Sequence, residues 1–315
     1  MLGLAAELGI ADRIAADQAA SAASLAVACG VLADPLLRLC RALAGFGIFT
    51  VSADEMVGHS GQSLLLRTDS VPSLHHAARF FTAPADWTLW GGLDLAMQGS
   101  VPFEALFGTR RFDHMQTHPE AARLFDAVMA NSPDGRLGAV ATAYDFSSAS
   151  LIVDVGGGNG ALLRAILTQH PNLRGLVFDR EDVVSAIPAE DRLGGRIQVQ
   201  AGDFFERTLP EADLYLLSWI LHDWPDTQCQ RILSNIRAAM KPEARVLLIE
   251  RVLERDPAHG NPLDYLGDMQ MMVMHGGRER TFPEFQALLS TTAGFGTVRA
   301  FPTASSLWII ESAAA

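Results

Sequence analysis

Cysteine is scarce in this chain, and the few present do not pair. Cys29, Cys40 and Cys229 are scattered, with no Cys-x-x-Cys unit. That argues against a disulfide framework and a zinc site, and it fits a reducing cytoplasm. Long apolar runs are also missing. Although 49% of residues are hydrophobic, no stretch of about eighteen uncharged apolar residues occurs, so no membrane span is expected. No basic region followed by a hydrophobic one opens the chain, so no secretory signal is read. Basic charge is in deficit: 24 Lys and Arg stand against 36 Asp and Glu, giving a net charge of −12 without a Lys/Arg run. Such a chain repels phosphate backbones, and nucleic acid is not an expected partner. No acidic triad or His/Cys set has ligand spacing, so no metal is expected.

What the chain does have is length for one large domain and a smaller one: 315 residues. The informative stretch is Leu151-Ile-Val-Asp-Val-Gly156-Gly-Gly158-Asn-Gly160. Leu151 to Val155 has the apolar run of a buried parallel strand. Glycines follow at alternate positions, then a helix from Ala161 to His170 closed by Pro171. Strand, glycine turn and helix make a nucleotide site, because the backbone approaches the ligand and the helix N-terminus offers free N–H groups. The spacing half-fits the dinucleotide pattern Gly-x-Gly-x-x-Gly and fits Asp-x-Gly-x-Gly-x-Gly better, from Asp154. The alternative is a tight structural turn.

Upstream, Leu2, Leu4, Leu8, Ile10 and Ile14 recur at helical spacing. Ser24 reads as the cap of a short helix through Cys29 that stops at Gly30, and another helix runs from Leu36 to Ala44. Residues 48–51 and 56–59 suggest a hairpin. Helices followed by a wing suggest a winged helix-turn-helix, used either for DNA through Arg38 and Arg41 or for dimerisation. The acidic charge favours dimerisation. Residues 72–131 read as helical and aromatic-rich, mostly core. Phe125 and Met129 share a helix face and are candidates for a substrate wall. Ser132 to Gly135 breaks that helix.

From 151 onward strands alternate with helices: strands near 151–155, 174–178, 196–200, 213–218, 245–250, 297–300 and 306–311, with helices near 161–169, 226–240 and 282–292. The expected fold is α/β, a doubly wound Rossmann-like sheet behind a mostly helical winged domain, divided as 1–98 and 99–315. Ligands bind beyond the carboxyl ends of such strands. Asp179 ends the second strand, 21 residues after Gly158, where an acid accepts ribose hydroxyls. Asp203 and Phe204 follow the third and suit an adenine amino group and ring. Ser218-Trp219-Ile-Leu-His222-Asp223-Trp-Pro-Asp226 follows the fourth, with Asp226 read as the cap of the next helix. Glu250 ends the fifth, and Glu279 sits in Gly276-Gly-Arg-Glu-Arg-Thr281. Carboxylates beside His222 would orient its ring and favour its protonated form. For Glu279 the ordinary alternative is a surface ion pair with Arg278 or Arg280. Met269, Met271, Met272 and Met274 either line an apolar pocket or pack a helix.

The glycine motif, Gly-Asp-Phe-Phe, His-Asp-Trp and Gly-Gly-Arg-Glu-Arg-Thr together resemble the small-molecule O-methyltransferases of plant caffeate and flavonoid metabolism and of bacterial natural-product tailoring. The resemblance covers nearly the whole chain. It implies S-adenosyl-L-methionine as cofactor, held by Asp154, Gly156, Gly158, Asp179, Asp203, Phe204 and Ser218. It implies His222 as general base flanked by Glu250 and Glu279, and methyl transfer to an aromatic hydroxyl of a small molecule. Phe125, Met129, Trp219, Asp223, Met269 and Met272 are the substrate-side candidates, and a homodimer is expected. Ser218 stands where many plant members carry Lys. Three other readings stay open: a methyltransferase-like protein doing non-methylating chemistry such as hydroxylation or decarboxylation, a NAD-linked oxidoreductase, and a ligand-sensing regulator.

Overall fold

The computed structural model describes residues 1–130 and 135–315. The expected break at Ser132 to Asp134 lies outside the described residues, and Gly135 is the N-cap of the helix that follows. The chain forms two compact units. One holds Met1–Gly91 and the stretch from Met115 through the helix ending at Ala130; the other holds Gly92–His114 and Gly135–Ala315. The expected division at residue 98 contains no such return of the chain to its first unit.

In the first unit, helices α1 (Leu2–Glu7), α2 (Ala22–Cys29), α3 (Ala33–Gly45), α4 (Gly61–Leu64), α5 (His75–Phe80) and α6 (Pro84–Gly91) surround a small sheet. Its strands are β1 (Ala19–Ser21), β2 (Thr50–Val51) and β3 (Met56–Gly58), in the order β1-β3-β2. The wing therefore has a third strand that the Ala-Ala-Ser composition of β1 does not announce. Ser21, not Ser24, caps α2: its hydroxyl accepts the Ser24 N–H at 3.1 Å. Gly30 ends the helix in the left-handed conformation, as expected.

The second unit starts with α7 (Leu93–Met97), α8 (Pro102–Phe107) and α9 (Arg111–Thr117), and α9 leads into α10 (Pro119–Ala130) of the first. Then come α11 (Arg136–Ala143), β4 (Leu151–Val155), α12 (Ala161–Gln169), β5 (Arg174–Asp179), α13 (Glu181–Val184), β6 (Ile197–Ala201), β7 (Ala212–Ser218), α14 (Asp226–Ala239), β8 (Met240–Arg251), α15 (Pro262–His275), α16 (Phe282–Thr291), β9 (Phe295–Pro302) and β10 (Leu307–Ala314). Among the described residues seven strands form one sheet, ordered β6-β5-β4-β7-β8-β10-β9. β4 to β8 run parallel, and β10 is antiparallel to both its neighbours.

The pattern behind this is direct. Ile152, Val153, Val155, Leu214, Leu216, Leu217, Val246, Leu247, Leu248 and Ile249 are buried because helices cover both faces of the parallel strands. α12 turns Leu162, Leu163, Ile166 and Leu167 inward, at the spacing of one helix face. Parallel strands put their carboxyl ends along one edge, so Asp154, Asp179, Ser218 and Glu250 arrive together. The order reverses at β4, which leaves a crevice beside its glycine turn.

Candidate active site

The glycine turn is built around a buried acid. A Cβ on Gly157 would sit 2.6 Å from the carboxyl carbon of Asp154, so this position must be glycine. Asp154 is 1% exposed, and neither carboxylate oxygen has a hydrogen-bond partner among the described residues. Burial first, and then the charge of Asp179, push its pKa up to about 7. The Asp179 carboxylate accepts the N–H of Gly158 at 2.9 Å and of Arg180 at 2.7 Å. Burial raises its pKa despite those bonds. The space beside the Gly158 Cα is open, and the Phe204 ring lies next to Gly156. Asp203 spends one oxygen on the N–H of Phe205 at 2.8 Å. An orphaned acid, an open glycine shoulder and strand-end carboxylates fit a cationic, ribose-bearing cofactor.

The second half of the site is a histidine among carboxylates. His222 lies on a 3-10 turn, Leu221–Asp223, just beyond β7. Its Nδ1 is 3.1 Å from Glu279 Oε1 and 3.8 Å from Glu250 Oε2, and its Nε2 is 3.6 Å from Asp223 Oδ1. The other oxygen of Glu250 accepts the N–H groups of Ile220 at 3.1 Å and Leu221 at 2.9 Å. Glu250 therefore fixes the turn that carries His222. Burial alone would lower the pKa of His222; the charges of Glu250, Asp223 and Glu279 outweigh it and raise it to about 10. Burial pushes Glu250 up to about 7. The donor atoms of His222, Glu250 and Glu279 all lie within 4.8 Å of one another, compact enough for an ion, and the 3.1 Å contact of His222 with Glu279 is an ordinary hydrogen bond.

The loop after α15 clamps the His222 turn. A Cβ on Gly277 would fall on the carbonyl oxygen of His222. The Arg278 N–H donates to that carbonyl at 2.8 Å. Arg280, 1% exposed, donates to the carbonyls of Leu221 at 2.8 Å and Trp224 at 2.9 Å and pairs with Asp226 at 2.7 Å. Asp226 is thus the partner of Arg280, and Pro225 holds the N-cap position expected for it. Glu279 is 2% exposed and faces His222 and Arg251, which removes the surface ion-pair alternative. Arg278 pairs instead with Glu284.

Trp219 has a left-handed backbone, φ 55°, rare for a bulky residue. Its ring lies 5.9 Å from that of His222, with the guanidinium of Arg136 4.3 Å above it. Met269, Met271 and Met272 are half-buried on α15, and Met274 is core. Phe125 and Met129 lie on α10 in the first unit, where Phe125 contacts Phe80 at 6.1 Å. Sequence reasoning missed Arg251, Arg280 and His275 as parts of the site. His275 ends α15, with Nε2 3.5 Å from Asp223 Oδ1. Its only signal was its place directly before the glycine pair.

Glycine turn, strand-end acids and caged imidazole on this sheet define a cofactor-dependent transferase. An O-methyltransferase domain model matches residues 90–296, and an O-methyltransferase dimerisation domain model matches residues 1–66. A phenazine O-methyltransferase of Lysobacter antibioticus is 37% identical, covering 99% of this chain and 91% of that protein. A mitomycin 6-O-methyltransferase of Streptomyces lavendulae is 36% identical, covering 95% and 86%. The O-methyltransferase of neocarzinostatin biosynthesis, solved with S-adenosylmethionine and 2-hydroxy-5-methyl naphthoic acid, superposes with a TM-score of 0.85 at 32% identity, covering 100% of this chain and 95% of that one. The chain belongs to the S-adenosylmethionine-dependent O-methyltransferase family. Its cofactor is S-adenosylmethionine, which sets aside the nicotinamide alternative. Among the described residues no single helix is long and apolar enough to cross a membrane.

Two outcomes follow from this geometry. Gly277→Ala should cost about 1–3 kcal/mol of stability, read from urea unfolding, and abolish activity, because the His222 turn has to move. Asp154 has a folded pKa of about 7 against 3.8. The ligand-free chain therefore loses stability from this group as pH rises from about 4 to 7. Asp154→Asn should melt progressively higher than the parent across that interval; parallel melting curves would disprove the buried charge.

Proposed function

We propose that this enzyme moves a methyl group from S-adenosylmethionine to a hydroxyl of an aromatic small molecule, with His222 as general base. The observation that carries the reading is the buried imidazole held at 3.1 Å by Glu279. When bound, the cofactor supplies an electrophilic methyl group. Asp154, Gly156, Gly158, Asp179, Asp203, Phe204 and Ser218 would hold it. Trp219, Asp223, Met269 and Met272 would receive the acceptor. The aromatic acceptors named for the relatives support that class. Residues 1–98 serve pairing into a homodimer, supported by the dimerisation model, and 99–315 serve the chemistry. We place the enzyme in the cytoplasm.

The chain's task is proton handling. A phenol has a pKa of about 10, and the cage raises His222 to about 10. Proton exchange between the two is therefore nearly balanced, and the carboxylates stabilise the imidazolium that results. One proton must leave before the oxygen is methylated. Activity should thus rise with pH through neutrality toward about 10. Removing a carboxylate lowers the pKa of His222, so Glu279→Gln should move that rising limb toward acid by about one pH unit. An unmoved limb would separate Glu279 from the proton transfer. His222→Ala should lower turnover roughly 10²–10⁴-fold with cofactor affinity unchanged by calorimetry. The test of the whole reading is transfer of isotopically labelled methyl to a panel of phenols, flavonoids and aromatic polyketides, followed by mass. Label on an acceptor supports it; a hydroxylated or decarboxylated product would replace it.

A further inference from the structure

A guanidinium stands behind the carboxylate that holds His222. Arg251, the last residue of β8, has Nη1 3.7 Å from Glu279 Oε1. That is the same oxygen that lies 3.1 Å from His222 Nδ1. On its other side, Arg251 Nε is 3.2 Å from Asp264 Oδ1 of α15. This nitrogen makes no hydrogen bond among the described residues, so charge rather than a directed bond joins it to Asp264. The three side chains are 25% (Arg251), 21% (Asp264) and 2% (Glu279) exposed, and with so little water their charges act strongly on one another. The proton-transfer scheme above uses Glu279 and gives Arg251 no part.

Helix α15 is shaped to admit this cation. Gly267 lies in the middle of the helix, where glycine is unfavourable. A Cβ there would fall 2.5 Å from Arg251 Nη1 and 4.0 Å from Glu279 Oε1. A larger residue would push the guanidinium away from its place beside Glu279. Asp264 and Gly267 are three residues apart and share a helix face; the first pairs with Arg251 and the second makes room for it.

The charges around the ring show what the cation is for. His222 faces Glu250 from β8, Asp223 from its own turn and Glu279 from the loop after α15. His275 at the end of α15, which burial keeps neutral, adds no charge. Glu279 also donates its backbone N–H to the carboxylate of Asp268 at 2.8 Å. Acids dominate this cage, and an imidazole held too strongly as imidazolium cannot act as a base near neutrality. Arg251 offsets them from behind Glu279.

We propose that Arg251, given room by Gly267, is a positioning residue that holds the Glu279 carboxylate on His222 and tempers the negative cage, so that a neutral ring is available to take a proton. This rests on the reading of His222 as general base and adds the residues that tune it.

The test is a nuclear magnetic resonance titration of the full chain, labelled with 15N-histidine and saturated with S-adenosylhomocysteine. The His222 signal is identified by its loss in His222→Ala, and the pH profile of kcat/KM is read beside it. Arg251→Met should raise the His222 midpoint by about one pH unit, opposite in direction to Glu279→Gln, and lower kcat/KM at pH 8 roughly tenfold. Arg251→Lys returns the charge and should bring both most of the way back. Gly267→Ala keeps every charge but displaces the guanidinium, and it should raise the midpoint by a smaller amount; where Arg251→Met does not fold, this variant decides alone. A midpoint that stays in place or moves toward acid would overturn the proposal, because a purely structural role leaves the titration where it is. The expected shifts in a chain that transfers no methyl group would overturn the function and leave the positioning standing.

Discussion

The closest constraint in the site is a backbone contact. The loop after α15 can meet the turn carrying His222 only because Gly277 has no Cβ where the His222 carbonyl lies. Around that contact three hydrogen bonds go to main-chain carbonyls: Arg278 N–H to His222, and the Arg280 guanidinium to Leu221 and Trp224. Glu250 grips the same turn from β8 by accepting two N–H groups. The turn is thus positioned through its backbone, and Glu279 holds Nδ1, leaving Nε2 for chemistry. Glu279 lies one residue from each of the clamping arginines, so the element that fixes the turn also delivers a carboxylate to the ring.

The electrostatics follow from that geometry. An isolated imidazole at this depth would be neutral, since burial disfavours its charge; three carboxylates reverse the sign. His275, in the same unit and equally enclosed, has only Asp223 to set against burial, with Arg111 and His222 opposing, and it is driven the other way. Two histidines beside one aspartate are therefore held in opposite charge states. Both rings are buried, and the number of acids beside each decides. At the glycine turn the imbalance runs the other way again: Asp154 has burial without a partner, an arrangement that suits a cationic ligand and costs the empty fold stability.

Much of this was legible before any coordinates. A strand buried on both faces is a nearly continuous apolar run, so β4, β5, β7 and β8 announced themselves, as did α12 through its stripe and Pro171. Less legible was whatever depends on distant pairing. β1 is Ala-Ala-Ser and becomes a strand only because β3 offers its edge. Ser21 and Ser24 are equally good caps by composition, and the path of the chain selects the first. Asp226 read as a helix cap because local rules allow it, but a buried guanidinium 54 residues away claims it. Phe125 and Met129 share a face as expected, while their unit includes a return of the chain that no composition shift marks.

What the sequence determined by itself is the order of strands and helices, the glycine turn, and the set of polar residues at strand ends. Each is a local matter of periodicity, backbone freedom or position in a repeating α/β unit. What only the tertiary structure decided is which of those residues meet and in what charge state. Glu279 could have been a surface partner of its neighbouring arginines; burial and the clamp turn it onto His222. His275 carried no chemical signal until α15 packed against the 3-10 turn and put its ring beside Asp223. The physical reason is that a pKa and a contact belong to surroundings assembled from segments far apart in the chain, whereas a period or a glycine belongs to a few consecutive residues.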